Sequence, residues 1–274
     1  QFRTLAAWMV AVAIAVVPAL GWASSRVHGP DVPVPVLLYH DITPEPVSER
    51  GMVVTASEFE AHMKTLKEHG YTAITVEELL LNMTGKGYLP SRPVLITFDD
   101  GYESVYKQAY PVLRRVGMRA TAFVVGSTIG TPSHLSLAEI SEMVASGVVE
   151  VGSHTYAGHG GTASSPRIAL WTPEQLDADF SEMAGFLRRH SMRSVPAVAY
   201  PFGKTTRAIV QAARRAGFLA GFTTREGAAS FDDPPMLLPR IMVWPGNDGV
   251  GLLTRVQRAL SQASLGRDGD SVRP

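Results

Sequence analysis

The chain contains no cysteine. That absence removes disulfides, thiol nucleophiles and zinc–thiolate sites, and with them lipid attachment through an N-terminal cysteine. Any metal must be held by His, Asp or Glu. A surplus of charge is also missing, because 25 Lys and Arg balance 25 Asp and Glu. Nucleic-acid binders usually carry a basic excess, so nucleic acid is not expected as a partner. No internal repeat or long low-complexity segment interrupts the 274 residues. What is present is apolar: hydrophobic residues make up 45%, enough for a sizeable core. The length suits one large α/β domain or two small ones.

The start of the chain is the most apolar part. Arg3 precedes a run from Leu5 to Ala23, with Gly21, Ala23, Ser24 and Ser25 at its end. A charged start, an apolar middle and a small-residue end describe a secretory signal or an uncleaved membrane anchor over residues 1–23. A buried core helix would be apolar on one face only. The expectation is therefore an extracytoplasmic protein, secreted or anchored at the cell surface or periplasm, with membrane contact through this segment. Residues 24–35 read as a Pro- and Gly-bearing linker, 36–265 as one domain and 266–274 as a polar tail.

Within the domain, strand-like and helix-like segments alternate. "VPVLLYH", "YTAIT", "PVLITF", "ATAFVVG", "VVEVGS", "PAVAYPFG", "FLAGFTT" and "LLPRIMV" have strand character. Helices are expected from a Ser57 cap to His69, from Thr75 with Glu78 to Met83, and from about Tyr102 to Val116. Further helices are expected after Ser136 with Glu139, from Thr172 with Gln175 to Arg189, over Thr206–Ala216 and over Val250–Ala263. Seven or eight strands separated by helices define α/β and favour a barrel. Spacing alone leaves an open doubly wound sheet possible.

In α/β folds, functional residues gather beyond the C-terminal ends of strands. Four polar clusters fall at such ends: His40-Asp41, Asp99-Asp100-Gly101, His154-Thr155 and Tyr200 to Gly203. In "LITFDDGYES" two adjacent carboxylates follow an apolar strand with no basic residue nearby in sequence. Neighbouring like charges repel and are costly to desolvate, so a cation is the expected compensation. A solvated Asp-Gly turn is the plainer explanation of the pair taken alone.

His154 and His159 lie in "SHTYAGHGG". On a helix, a five-residue offset would set them about 140° apart, but the glycines favour a loop, where they can converge. Two imidazoles and a carboxylate with an open position make a hydrolytic metal site. Two surface histidines are the alternative. His40, ending the first strand beside Asp41, suits a structural hydrogen bond or a general acid.

Taken together, "VPVLLYHDI", "ITFDDGY", "SHTYAGH" and "AYPFG" resemble the polysaccharide deacetylase family, carbohydrate esterase family 4. The resemblance spans roughly Pro33 to Val243. The "YH" segment and the five-residue histidine spacing look most like the branch acting on poly-β-1,6-N-acetylglucosamine of biofilm exopolysaccharide.

The resemblance implies a distorted (β/α) barrel with seven or eight strands and a metal-dependent N-deacetylase. It implies Asp100, His154 and His159 as metal ligands, and Asp99 as the base taking a proton from the attacking water. His40 would be the general acid, and the Phe202 backbone N–H would stabilise the oxyanion. Zinc is the first expectation for the metal; cobalt, nickel and iron suit the same donors. Protein partners are not indicated.

Two departures stand out. Ala199 occupies the place where the wider family has an arginine that orients the base. The family's late histidine segment is also missing, with "LLPRIMV" in its place. Peptidoglycan or chitin-like glycans are alternative substrates. An inactive carbohydrate-binding module on the same fold is the alternative class, and a phosphotransfer protein using the paired Asp is a third. Tyr200, Phe202 and Trp244 are candidates for a sugar platform, against ordinary core packing.

Overall fold

The computed structural model describes residues 26–27, 32–45, 51–190 and 194–270. The apolar N-terminal run and most of the expected linker lie outside the described residues.

Seven parallel strands form the frame. They are β1 (Val34–Tyr39), β2 (Pro93–Phe98), β3 (Ala120–Val124), β4 (Val149–Ser153), β5 (Ser194–Ala199), β6 (Ala220–Phe222) and β7 (Ile241–Met242). Their order is β6-β5-β4-β3-β2-β1-β7. Thr72–Ala73 adds to β2, and Ala228–Ala229 runs antiparallel against β1. The sheet curls until its ends meet: Phe222 bridges Leu238, and Thr223 N–H donates to Leu238 O at 2.9 Å. This is the distorted (β/α) barrel.

Seven helices accompany it: α1 (Ala56–Glu68), α2 (Val76–Met83), α3 (Tyr110–Val116), α4 (Leu137–Ala145), α5 (Pro173–Arg189), α6 (Arg207–Arg215) and α7 (Gly249–Asp270). Capping boxes start four of them. Thr75 with Glu78, Ser136 with Glu139 and Thr172 with Gln175 cap where expected. For α1 the cap is Thr55, boxed with Glu58, and not Ser57. The expected Tyr102–Val116 helix begins later, as a π-helical turn over Val105–Ala109 leading into α3. Helix α7 continues to Asp270, into the segment read as a tail, and β1 takes up Val34 and Pro35 from the end of the segment read as linker.

Strand alternation separates two faces. Leu37, Tyr39, Ile96, Phe98, Ala122 and Val151 pack outward against α1, α3, α4 and α7. Val34, Val36, Leu95, Phe123, Ala197, Phe222 and Leu238 face inward, with Ile74, Leu79 and Leu89 plugging one end. The same alternation carries His40, Asp99, His154 and Arg240 to the inner face. The barrel therefore delivers four polar residues to one mouth.

Candidate metal centre

Each site residue is set by local backbone. Asp99 follows β2 with inward parity, below Thr97 and Leu95 in the same row. Asp100 would face outward by alternation, but its φ of 70° breaks the strand and redirects it. Gly101 must then follow without a side chain: its φ is 74°, and a Cβ there would meet Val124 at 3.1 Å. Thr155, after His154, has φ 72°, and Phe202 has φ 54°. Among the described residues, three of the four non-glycine residues with positive φ are thus expected site residues or adjoin one. Such strain concentrates where side chains are aimed for function.

Asp100, His154 and His159 come together. Their ligand atoms lie within 4.8 Å of one another. Both histidine Nε2 atoms are 3.2 Å from Asp100 Oδ1. His154 Nδ1 donates to Ala199 O at 2.8 Å. With that proton committed, Nε2 of the neutral ring offers a lone pair towards the carboxylate. Asp100 Oδ1 is buried and has no hydrogen-bond partner. Two lone pairs and an orphaned carboxylate oxygen facing one point fit a divalent cation. Burial would raise Asp100, but the neighbouring imidazoles of His154, His40 and His159 outweigh it and hold the carboxyl well below the usual carboxylate range.

Asp99 is not a ligand in this grouping. It is buried and gripped by Arg240, with Nη1 to Oδ1 at 2.8 Å and Nη2 to Oδ2 at 2.7 Å. Arg240 is itself fixed by Nε donating to Thr223 O at 2.9 Å. Burial alone would raise Asp99; the Arg240 charge, then that of His154, outweighs it and keeps the carboxyl low. Arg240 thus gives Asp99 the arginine partner that Ala199 cannot. It comes from "LLPRIMV", where a histidine segment was missing. A lone arginine in an apolar strand was the available signal, since a buried guanidinium needs a buried anion.

His40 also faces the site. Its Nδ1 is buried and unpartnered. Burial holds its pKa below the ordinary histidine value, opposed by the charges of Asp99 and Asp100. Phe202 stacks on His159, with ring centroids 5.1 Å apart at 15°. Tyr200 is fully buried among Ile209, Phe218 and Met236 and forms no platform, whereas Trp244 is exposed.

Tyr102 escaped the sequence reading. Burial, and then the charges of Asp100 and Asp41, push its hydroxyl up to about 12. Its ring stacks on His134 at 5.4 Å.

Against known proteins, the family profile described as polysaccharide deacetylase matches residues 86–221. A Bacillus subtilis (strain 168) protein named as a polysaccharide deacetylase, YxkH, is 35% identical over 216 residues, covering 79% of this chain and 73% of that protein. The chain belongs to the polysaccharide deacetylase family. This deacetylase is accordingly a hydrolase acting on amide bonds. A Staphylococcus aureus (strain MRSA252) relative named poly-beta-1,6-N-acetyl-D-glucosamine N-deacetylase is 29% identical over 196 residues, covering 69% of the deacetylase and 67% of its own length. The solved structure of Streptococcus pyogenes deacetylase PplD in complex with acetate superposes with a TM-score of 0.74 at 25% identity. That match covers 82% of the deacetylase and 99% of PplD.

Proposed function

We propose that the chain is a metal-dependent N-deacetylase of an extracellular polysaccharide, with poly-β-1,6-N-acetylglucosamine as its substrate. The observation that carries this is the convergence of Asp100, His154 and His159 on one point, beside an Asp99 that is buried yet kept ionised by Arg240. The name of the Staphylococcus aureus relative supports the linkage, and the apolar run before residue 24 supports a site of action outside the cytoplasm.

Asp100, His154 and His159 would hold the metal, with zinc first and cobalt, nickel or iron as other fits. Such a cation supplies Lewis acidity, polarising the acetyl carbonyl and making water a nucleophile near neutral pH. Asp99 accepts the proton of the attacking water as the C–O bond forms. The Phe202 N–H donates to the oxygen on which negative charge develops. His40 gives its proton to the nitrogen as the C–N bond breaks. Acetate and a free amine leave.

The test is acetate release from a β-1,6-linked N-acetylglucosamine oligomer, with chitin oligomers and peptidoglycan fragments as parallel arms. Release is expected, fastest from the β-1,6 oligomer, abolished by chelator and restored by zinc. Asp99→Asn should lose about 10²–10⁴-fold in kcat. Faster release from another arm would move the substrate. No acetate from any arm with metal present would defeat the catalytic reading.

A further inference from the structure

His154 and His159 are not held equally. His154 is buried and anchored through Nδ1 to Ala199, whereas the His159 side chain is 30% exposed. What aims His159 is the loop between them, and that loop is gripped from outside the site. Asp179, in the second turn of α5, is buried. Its Oδ2 accepts the Tyr156 N–H at 3.0 Å and its Oδ1 accepts the Ala157 N–H at 2.6 Å. Among the described residues no Lys, Arg or His forms an ion pair with Asp179. Successive backbone N–H groups closing on one anion form a nest, which compensates a buried carboxylate without a cation.

This nest lies between the two histidines. It begins directly after Thr155, whose φ of 72° turns the chain back. It is followed by Gly158, where a Cβ would come within 3.1 Å of Trp171. The loop is pinned at two successive N–H groups to the side chain of a neighbouring helix, so α5 sets its path.

We propose that Asp179 is a positioning residue of the metal centre. It fixes the 156–158 loop in the metal-free protein and so sets His159 against His154 before any cation arrives. The inference rests on the metal reading above, but it concerns which residue shapes the site.

Asp179→Asn keeps the size of the side chain, yet turns one acceptor into an NH₂ group opposing a backbone N–H. Zinc affinity of the full chain is measured by competition with a chromogenic chelator. The visible spectrum of the cobalt-loaded protein and the unfolding temperature of the metal-free protein are recorded alongside. Asp179→Asn is expected to weaken zinc binding at least tenfold and to alter the cobalt spectrum. Asp177→Asn, which removes a surface partner of Arg215, should leave both unchanged.

Equal affinity and an unchanged spectrum in Asp179→Asn overturn the inference while leaving the metal reading intact. Failure of the wild type to bind zinc or cobalt overturns both. A measurement without any variant stands beside this, should Asp179→Asn not fold. Amide exchange of Tyr156 and Ala157 in metal-free wild type should be at least 100-fold slower than in an open loop. Fast exchange relieved only by zinc would mean that the metal, and not Asp179, shapes the loop.

Discussion

Asp99 sits where an acid is hard to ionise: buried at the end of an apolar strand, beside a second carboxylate. Arg240 resolves this with a two-pronged bond that also leaves the carboxylate plane no freedom to turn. Removing one partner of such a pair leaves an uncompensated buried charge, worth about 3–5 kcal/mol. Arg240→Met should therefore lower stability by that order in urea unfolding. It should also raise the Asp99 pKa, moving the acid limb of the kcat/KM profile to higher pH. Arg240→Lys keeps the charge without the fork and should fall between. An unshifted acid limb in Arg240→Met would separate Arg240 from the base.

The grouping of Asp100, His154 and His159 was legible because the first two follow apolar strands and the third lies five residues on in a glycine-bearing loop. Arg240 was not, because it lies 141 residues from Asp99 and nothing local announces the pairing. Tyr102 and Asp179 were missed for a related reason. One acts through a ring stacked on His134, the other through the backbone of a distant loop, and neither leaves a pattern in sequence.

Among the secondary elements, legibility followed capping chemistry. Thr75, Ser136 and Thr172 each precede an acid or amide by three residues, and each caps its helix as that spacing dictates. Helix α1 offered two candidates. Ser57 also has an acid at the third position, but that residue, Glu60, pairs instead with Lys64 and Arg115. Thr55 has Glu58, whose carboxylate returns to the Thr55 N–H at 2.8 Å. Thr55→Ala should cost about 1 kcal/mol in thermal unfolding, and Ser57→Ala no more than about 0.5 kcal/mol. The reverse order would reinstate Ser57 as the cap. The π-helical turn before α3 was invisible, because an extra residue per turn leaves the apolar pattern almost unchanged over five residues.

For the molecule as a whole, buried titratable groups set the response to acid. Burial holds His40, His62 and His159 below the ordinary histidine range. His62 is the clearest case, lying between the Tyr39 hydroxyl at 3.1 Å and Asn247 O at 2.7 Å. Such groups protonate more readily when unfolded, so they subtract stability as pH falls below about 6.5. His154 works the other way. Burial would lower it, but the Asp99 and Asp100 charges raise it, so its contribution is present below about 6.5 and lost as pH rises through its folded value.

His62, remote from the metal centre, should cost the metal-free protein unfolding temperature from about pH 6.5 downward, and His62→Gln should flatten that slope. A second loss should follow below about pH 4, as Asp99 and Asp100, both held low in the fold, are forced to protonate. Zinc at 100 times its Kd should add about 2.7 kcal/mol at neutral pH, an increment that fades on acidification as its ligands take up protons. A zinc increment independent of pH would place the ion elsewhere.

Arg240 enters immediately before the last strand of the barrel, after every other member of the site has been laid down. During synthesis on the ribosome, the inner acid must wait for its counter-ion until the seventh strand emerges. A nascent chain halted before Arg240 holds both aspartates and both loop imidazoles, yet shelters a lone negative charge in its interior. Arrival of Arg240 and neutralisation of the buried acid are thereby one event, and products clipped before it should surface as unstable material for quality control to clear.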